Sequence, residues 1–260
     1  MRKIFFVLIT VSLSLNALAQ GERKQRQEEK RERVSQMVKQ QEEGVIAYKK
    51  SFLFGVKLTT DGYGMFFELG RASSVKKSTL YQLEIAERKS KKEQKQTSIY
   101  SNTNPFIYGK ENFFYPVKLG VQQQVLLGNK SNKNGVAVTA NYGGGVSVAF
   151  LRPYYVQVPK GGNEIDYVKY NSSDSALFLS NSIFGGPGLG KGWSDMTITP
   201  GLYAKAAVRF DYGSYNEVIS AIEVGLTAEY YSKKIPQMVY NPEKQFFFGG
   251  YVAILFGKRK

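Results

Sequence analysis

The sequence predicts an all-β chain: an eight-stranded antiparallel up-and-down barrel that spans a membrane, preceded by a charged N-terminal arm. Three observations predict it. Apolar residues alternate with period two over unusually long segments, the connections alternate between short and long, and the N-terminus carries an export leader.

The leader comes first. Arg2 and Lys3 precede an apolar stretch from Ile4 to Leu15, and Ala17-Leu18-Ala19 supplies the small-x-small pattern that signal peptidase accepts. The stretch is short for a spanning helix, which needs roughly 20 residues. Residues 1–19 therefore read as a cleaved signal peptide. With no Cys, no lipid anchor can attach at the new terminus.

Composition narrows the chemistry. The chain holds 18 Tyr, 17 Phe and 26 Gly, a mixture suited to strands and tight turns. Zero Cys excludes disulfides and thiolate catalysis, and zero His removes the commonest general base and metal ligand. A Ser-His-acid site is impossible, and no pair of residues shows catalytic spacing. No enzyme activity, cofactor or metal site is expected. The net charge of +15 points toward anionic headgroups or polymers. Nucleic acid is the other usual partner of a basic chain, and export argues against it.

Residues 20–47 form a separate region of charge and Gln with a narrow apolar stripe, Val34, Met37 and Val38. Such a run reads as a solvated helix or flexible arm, and a docking element for a periplasmic partner is the sharper alternative.

From residue 48 the period changes to two. The first strand places Phe52, Phe54, Val56 and Leu58 on one face, and Asp61-Gly62 supplies a tight hairpin turn. The second returns with Tyr63, Met65, Phe67 and Leu69. Tyr81, Leu83 and Ile85 mark the third; Phe113, Tyr115, Val117, Leu119 and Val121 the fourth. The fifth alternates most cleanly, from Val136 through Tyr142 and Val146 to Phe150. Ile198 to Phe210, Ile222 to Tyr230 and Phe246 to Phe256 carry the sixth, seventh and eighth. Several runs exceed the ordinary strand and match the roughly 9–11 residues of a membrane-spanning one.

A soluble barrel also alternates, so the opposite face decides which side is outside. In the fifth strand it reads Ala137, Thr139, Asn141, Gly143, Gly145, Ser147 and Ala149. These small residues suit the narrow interior of an eight-stranded barrel, whereas a wetted strand would carry Lys and Glu. None of the apolar-face residues named above carries a charge, as a lipid-facing surface requires.

The polar faces carry Lys57, Glu68, Glu84, Lys118, Lys205, Arg209, Glu223 and Glu229, whose charges sum to zero. A buried set of this kind must pair. It is expected to plug the lumen with salt bridges; an ion path or gate is the functional alternative.

The joins near 72–77, 128–135 and 211–217 are short, and those near 90–110, 155–195 and 232–244 are longer. Outer-membrane barrels keep short turns on the periplasmic side, so both termini are expected in the periplasm of a bacterial outer membrane. The last strand ends at the aromatic Phe256, followed by the basic tail Gly257-Lys258-Arg259-Lys260, a departure from terminal strands that end on the aromatic residue.

The segments FGVKLTTDGYGMFFELGR, PFIYGKENFFYPVKLG and NKNGVAVTANYGGG, with the Ala-Gln end of the leader, resemble the small outer-membrane barrels of Bacteroidetes grouped as PorT-like proteins. The resemblance covers roughly residues 48–256 as a general pattern. It implies an outer-membrane barrel and, by PorT itself, an accessory role in type IX secretion. It carries over no individual functional residue.

Two segments need separate reading. Residues 185–191 match the first part of a phosphate-binding loop, but Gly192 stands where Ser or Thr should hold magnesium, and no helix-forming run follows. A loop without nucleotide is expected. In 174–193, Leu177, Phe178 and Leu179 belong to a strongly apolar stretch, which either packs on itself over the barrel mouth or forms a contact patch for a partner. The function expected is a structural or accessory subunit of an envelope complex, contacting outer-membrane lipids and a periplasmic or outer-membrane protein complex. A small transport pore and a surface binder acting through its loops are the rivals.

Overall fold

The computed structural model describes residues 49–260 except 75, 98–103, 131–134, 162–163, 172, 174, 181, 189 and 214–216. The leader and the arm of 20–47 lie outside the described residues.

Eight long strands close the barrel. They are β1 Lys50–Thr59, β2 Gly62–Ala72, β3 Lys77–Arg88, β6 Asn112–Gly128, β7 Ala137–Pro153, β10 Thr197–Asp211, β11 Val218–Ile235 and β12 Lys244–Arg259. Within the long connections lie β4 Lys95–Gln96, β5 Phe106–Ile107, β8 Tyr155–Gly161, β9 Glu164–Lys169 and the one-turn helix α1 Ser175–Phe178. The barrel runs β1-β12-β11-β10-β7-β6-β3-β2 and back to β1, with every neighbour antiparallel. Closure leaves no open sheet edge, so every strand finds its backbone partners within the barrel wall.

Period two then sorts the side chains. Leu58 is 67% exposed, Leu202 62% and Phe248 63%, and each points outward. The residues between them point inward and are buried. Aromatic rings border the outer band near both ends, with Phe52, Phe256 and Tyr212 toward the short turns and Tyr63, Tyr230 and Phe246 toward the loops. An unbroken apolar outer wall with aromatic borders is the surface of a membrane-spanning barrel. No described helix is long and apolar enough to cross a membrane; the strands do the crossing.

The interior is narrow because the wall is small-sided where strands press together. A Cβ on Gly145 of β7 would lie 2.4 Å from the Gly120 Cα of β6, so neither strand could carry a larger residue there without moving the other.

The strand ends that flank the short turns, Ala72 and Lys77, Gly128 and Ala137, Asp211 and Val218, lie at one end with Lys50 and Arg259. There Lys50 and Lys260 exchange backbone bonds of 2.9 and 2.8 Å. The opposite end holds the Asp61 turn and the three long connections. Two of the long connections are more ordered than sequence reading expected. Within the long join expected over 155–195, β8 and β9 pair as an antiparallel hairpin, and β11 continues to Ile235, shortening the last loop.

Candidate functional site

The eight charged residues of the polar faces all lie inside the barrel, and none is more than 4% exposed. They form two groups. In the first, Arg209 grips Glu68 through two parallel bonds of 2.8 Å and reaches Glu223 at 2.7 Å. Glu223 also accepts from Lys205 at 2.9 Å, the Tyr251 hydroxyl at 2.6 Å and the Asn141 amide at 2.9 Å. In the second, Glu84 lies between Lys57 at 2.5 Å and Lys118 at 2.9 Å. Lys118 also pairs with Glu229, which accepts from the Tyr231 hydroxyl at 2.7 Å.

Glutamine joins the groups. Lys205 donates to Gln82 at 3.0 Å, Gln82 donates to Glu84 at 3.4 Å, and Gln122 donates to Gln82 from the adjacent strand β6. Each carboxylate thus meets a cation and each cation a carboxylate, the arrangement that offsets the cost of burying charge. Charge-assisted bonds of this geometry are also the stronger class of hydrogen bond.

The sequence reading missed several members. Arg88 pairs with Asp61 at 2.7 Å and Glu229 at 3.1 Å, and its guanidinium lies 5.0 Å from the Phe247 ring centre. It shares the inward parity of Gln82 and Glu84 on β3, so alternation alone could have found it. Asp61 was read as a turn residue, and its carboxylate also anchors Arg88. Toward the loops, Phe114, Tyr231 and Phe247 pack ring against ring with centroids 5.2 to 5.9 Å apart. Toward the short turns, Leu53, Ile219 and Leu255 fill one side of the interior.

No protein-family model matches the sequence, and no curated protein does. Among solved structures, Neisserial surface protein A is similar at 8% identity and TM-score 0.40, over 81% of this chain and 96% of that one. The N-terminal β-barrel domain of Pseudomonas aeruginosa OprF gives 7% and 0.34, over 80% and 96%. Ail, the attachment invasion locus protein of Yersinia pestis, gives 8% and 0.36, over 82% and 99%. At such identities and scores, neither the roles nor the ligands of those barrels transfer to this chain.

At the loop end a second apolar core joins the three long connections. Phe106 and Ile107 of β5, Tyr154, Val156 and Val158, Phe178 of α1, Ile183 and Met238 pack together. Backbone bonds tie the segments: Gln157 to Gly185 at 2.9 Å, Gly186 to Asn104 at 3.0 Å and Val239 to Gly109 at 2.9 Å. Of the two readings of Leu177, Phe178 and Leu179, the inward-packed one describes Phe178 and Leu179, while Leu177 faces outward. Phe178 is fully buried, Leu179 packs against the same core, and Leu177 is the member presented to the outside, at 44% exposure. A one-turn helix cannot point three consecutive side chains the same way.

The segment 185–191 joins this assembly through Gly185, which bridges to Gln157. Lys191 lies 5.4 Å from the Tyr155 ring centre and 4.9 Å from that of Tyr167. Among the described residues the next element is β10, so no helix start faces the glycines. Beside it Arg152 lies 4.1 Å from the Phe113 ring centre and 4.7 Å from that of Trp193, and Trp193 stacks on Tyr115.

Glu111 sits where the connections meet: its N–H donates to the Gln237 carbonyl at 2.9 Å, and its own carbonyl accepts from Tyr154 at 2.8 Å. Burial, with the Glu243 carboxylate adding to it, pushes the Glu111 carboxyl up to about 7. The folded loops therefore hold this proton more tightly than the unfolded chain does. The resulting stability is full below about 4.5, the ordinary value, and is lost as pH rises through about 7. The chain has one Trp, so Trp193 fluorescence reports on the loops. They should melt at a lower temperature at pH 8 than at pH 5, and Glu111→Gln should shrink that difference. An unchanged difference in the variant would assign the dependence to another group.

Proposed function

We propose that this chain is a non-enzymatic barrel of a bacterial outer membrane, with the short turns and both termini in the periplasm. Its role is that of a structural or accessory subunit of a cell-envelope complex. The observation that carries this reading is the lumen, where paired charges, glutamines and aromatic rings are buried against one another. Such an interior suits a rigid membrane post better than a pore. The resemblance to PorT-like proteins supports a secretion complex as the setting, and the leader supports export.

A joint experiment tests it. The mature protein should fractionate with the outer membrane and migrate faster on gels before heating than after. Purified protein in planar bilayers should pass little or no steady current. A large, stable, ion-selective current would reject the plug in favour of the transport pore. Recovery as a soluble periplasmic protein without detergent would remove the membrane location. Crosslinking in native membranes should recover partner proteins of the envelope.

One observation favours a second reading, the surface binder. The loops hold a core of their own and present Ile165, Tyr167 and Leu177 at 39 to 48% exposure. Deleting the β8–β9 hairpin separates the two. Loss of ligand capture with an intact complex supports the binder, and loss of the complex supports the accessory role.

A further inference from the structure

At the short-turn rim, three cations stand side by side on the outer face of three adjacent strands. Lys260, directly after β12, is bonded to Lys50 of β1 through both backbone bonds, and Lys50 is the register partner of Arg71 of β2. All three are exposed, and none forms an ion pair with a described residue. Neighbouring strands lie about 4.8 Å apart. Like charges placed directly opposite one another repel and destabilise a sheet, so a row of three cationic side chains gains from an anion placed against it.

The row is continued by Lys258 and Lys77, both exposed and both on the outward parity of β12 and β3. The other half of the rim differs. Outward positions there are Val125 and Leu127 on β6, Val138 on β7, Tyr212 after β10 and Val218 on β11. Among the outward strand positions of this rim, positive charge therefore lies on the arc of β12, β1, β2 and β3, with Lys130, in the turn after β6, the described cation of the other half. Next to the arc, toward the middle of the barrel, Phe52 and Leu69 stand on the outer wall beside the Phe54–Phe67 ring pair, whose centroids are 5.2 Å apart.

We infer that the row Lys260–Lys50–Arg71 binds the phosphate of an anionic phospholipid whose acyl chains lie along Phe52, Phe54, Phe67 and Leu69. This rests on the outer-membrane reading above and extends it by assigning the lipid class and the arc of wall that takes it. Charge complementarity selects the anion. Continuity with an apolar wall selects a lipid over a free ion, because one molecule then satisfies both surfaces. Arg71 suits the contact, since a guanidinium offers two parallel donors to a phosphate.

The test uses the whole mature protein folded in detergent micelles with equal amounts of phosphatidylglycerol and phosphatidylcholine, read by native mass spectrometry. The wild-type barrel should retain phosphatidylglycerol preferentially. Each cation near a headgroup contributes on the order of fivefold, so Arg71→Gln alone should lower the preference about fivefold. The triple change Lys50→Gln, Arg71→Gln, Lys260→Gln should abolish it. Removing the same charge at the loop end, by Lys160→Gln, Lys169→Gln and Lys191→Gln, should leave the preference intact.

Equal retention of both lipids by a wild-type barrel that inserts into vesicles and shows heat-modifiable migration overturns the inference and leaves the membrane reading standing. A protein that inserts into no vesicle removes both. Competition by inorganic phosphate beyond that of chloride at matched ionic strength would assign the row to a free anion. A rise in phosphatidylglycerol retention on deleting residues 21–44 would assign it to acidic residues of the chain's own arm. Either result overturns the lipid site.

Discussion

Glu223→Gln should lower the unfolding free energy of the barrel by about 3–5 kcal/mol, the usual cost of leaving a buried charge without its partner. Glu223 is fully buried and accepts from Arg209, Lys205, Tyr251 and Asn141. Arg209 would keep its paired bonds to Glu68, but Lys205 would keep only the neutral Gln82 oxygen and the rings of Phe66 and Tyr251. The stranded ammonium therefore supplies most of the loss. Adding Lys205→Met to Glu223→Gln should return a large part of it, and the double-mutant cycle should show a coupling of about 0.5–3 kcal/mol. Lys57→Met should cost less than Glu223→Gln, since Glu84 retains Lys118 at 2.9 Å. Urea unfolding of protein folded reversibly in detergent or vesicles measures all four variants. A loss below about 1 kcal/mol for Glu223→Gln, the scale of an exposed pair, would mean that water reaches the lumen and screens these charges.

The same network shows what a sequence can and cannot disclose about this fold. Alternation assigns a face without knowledge of partners, so Leu58, Leu202 and Phe248 on one side and Glu84, Lys118 and Glu223 on the other were legible from period two. Arg88 is legible by the same rule, although the apolar run of the third strand ends at Ile85, three residues short of it. Pairing was hidden. That Arg209 meets Glu68, 141 residues away, depends on how the barrel closes and staggers, which no single strand encodes. Tyr251 and Tyr231 were hidden for another reason. Tyrosine is common on both faces of this chain, and only a carboxylate within reach, Glu229 on the same strand for Tyr231 and Glu223 on the adjacent strand for Tyr251, turns it into a donor. The loop core was the least legible part. β8 and β9 are short, and their apolar residues find neighbours on two other connections, so the segment 155–195 shows no local pattern long enough to read.

Phe178→Ala should destabilise the loop assembly by about 3–5 kcal/mol, the cost of truncating a fully buried aromatic side chain. Phe178 packs in the core with Phe106, Val156, Val158 and Ile183, and Tyr170 meets its ring edge-on at 5.6 Å. The core joins three connections, so its loss should release all of them together while the barrel beneath keeps its own closed hydrogen bonding. Leu177→Ala, one residue earlier, should stay within about 0.5 kcal/mol, because its side chain is exposed and leaves no cavity. Limited proteolysis of the folded protein in detergent distinguishes the cases. Phe178→Ala should open cleavage sites in the connections after β3, β7 and β11, with heat-modifiable migration unchanged. Leu177→Ala should be cut like the wild type. Equal resistance in both variants would mean that the loops are held by their backbone bonds, chiefly Gln157 to Gly185 and Val239 to Gly109, with little contribution from the apolar core. Loss of heat-modifiable migration in Phe178→Ala would instead tie barrel stability to the loops, and the two parts would then unfold as one unit.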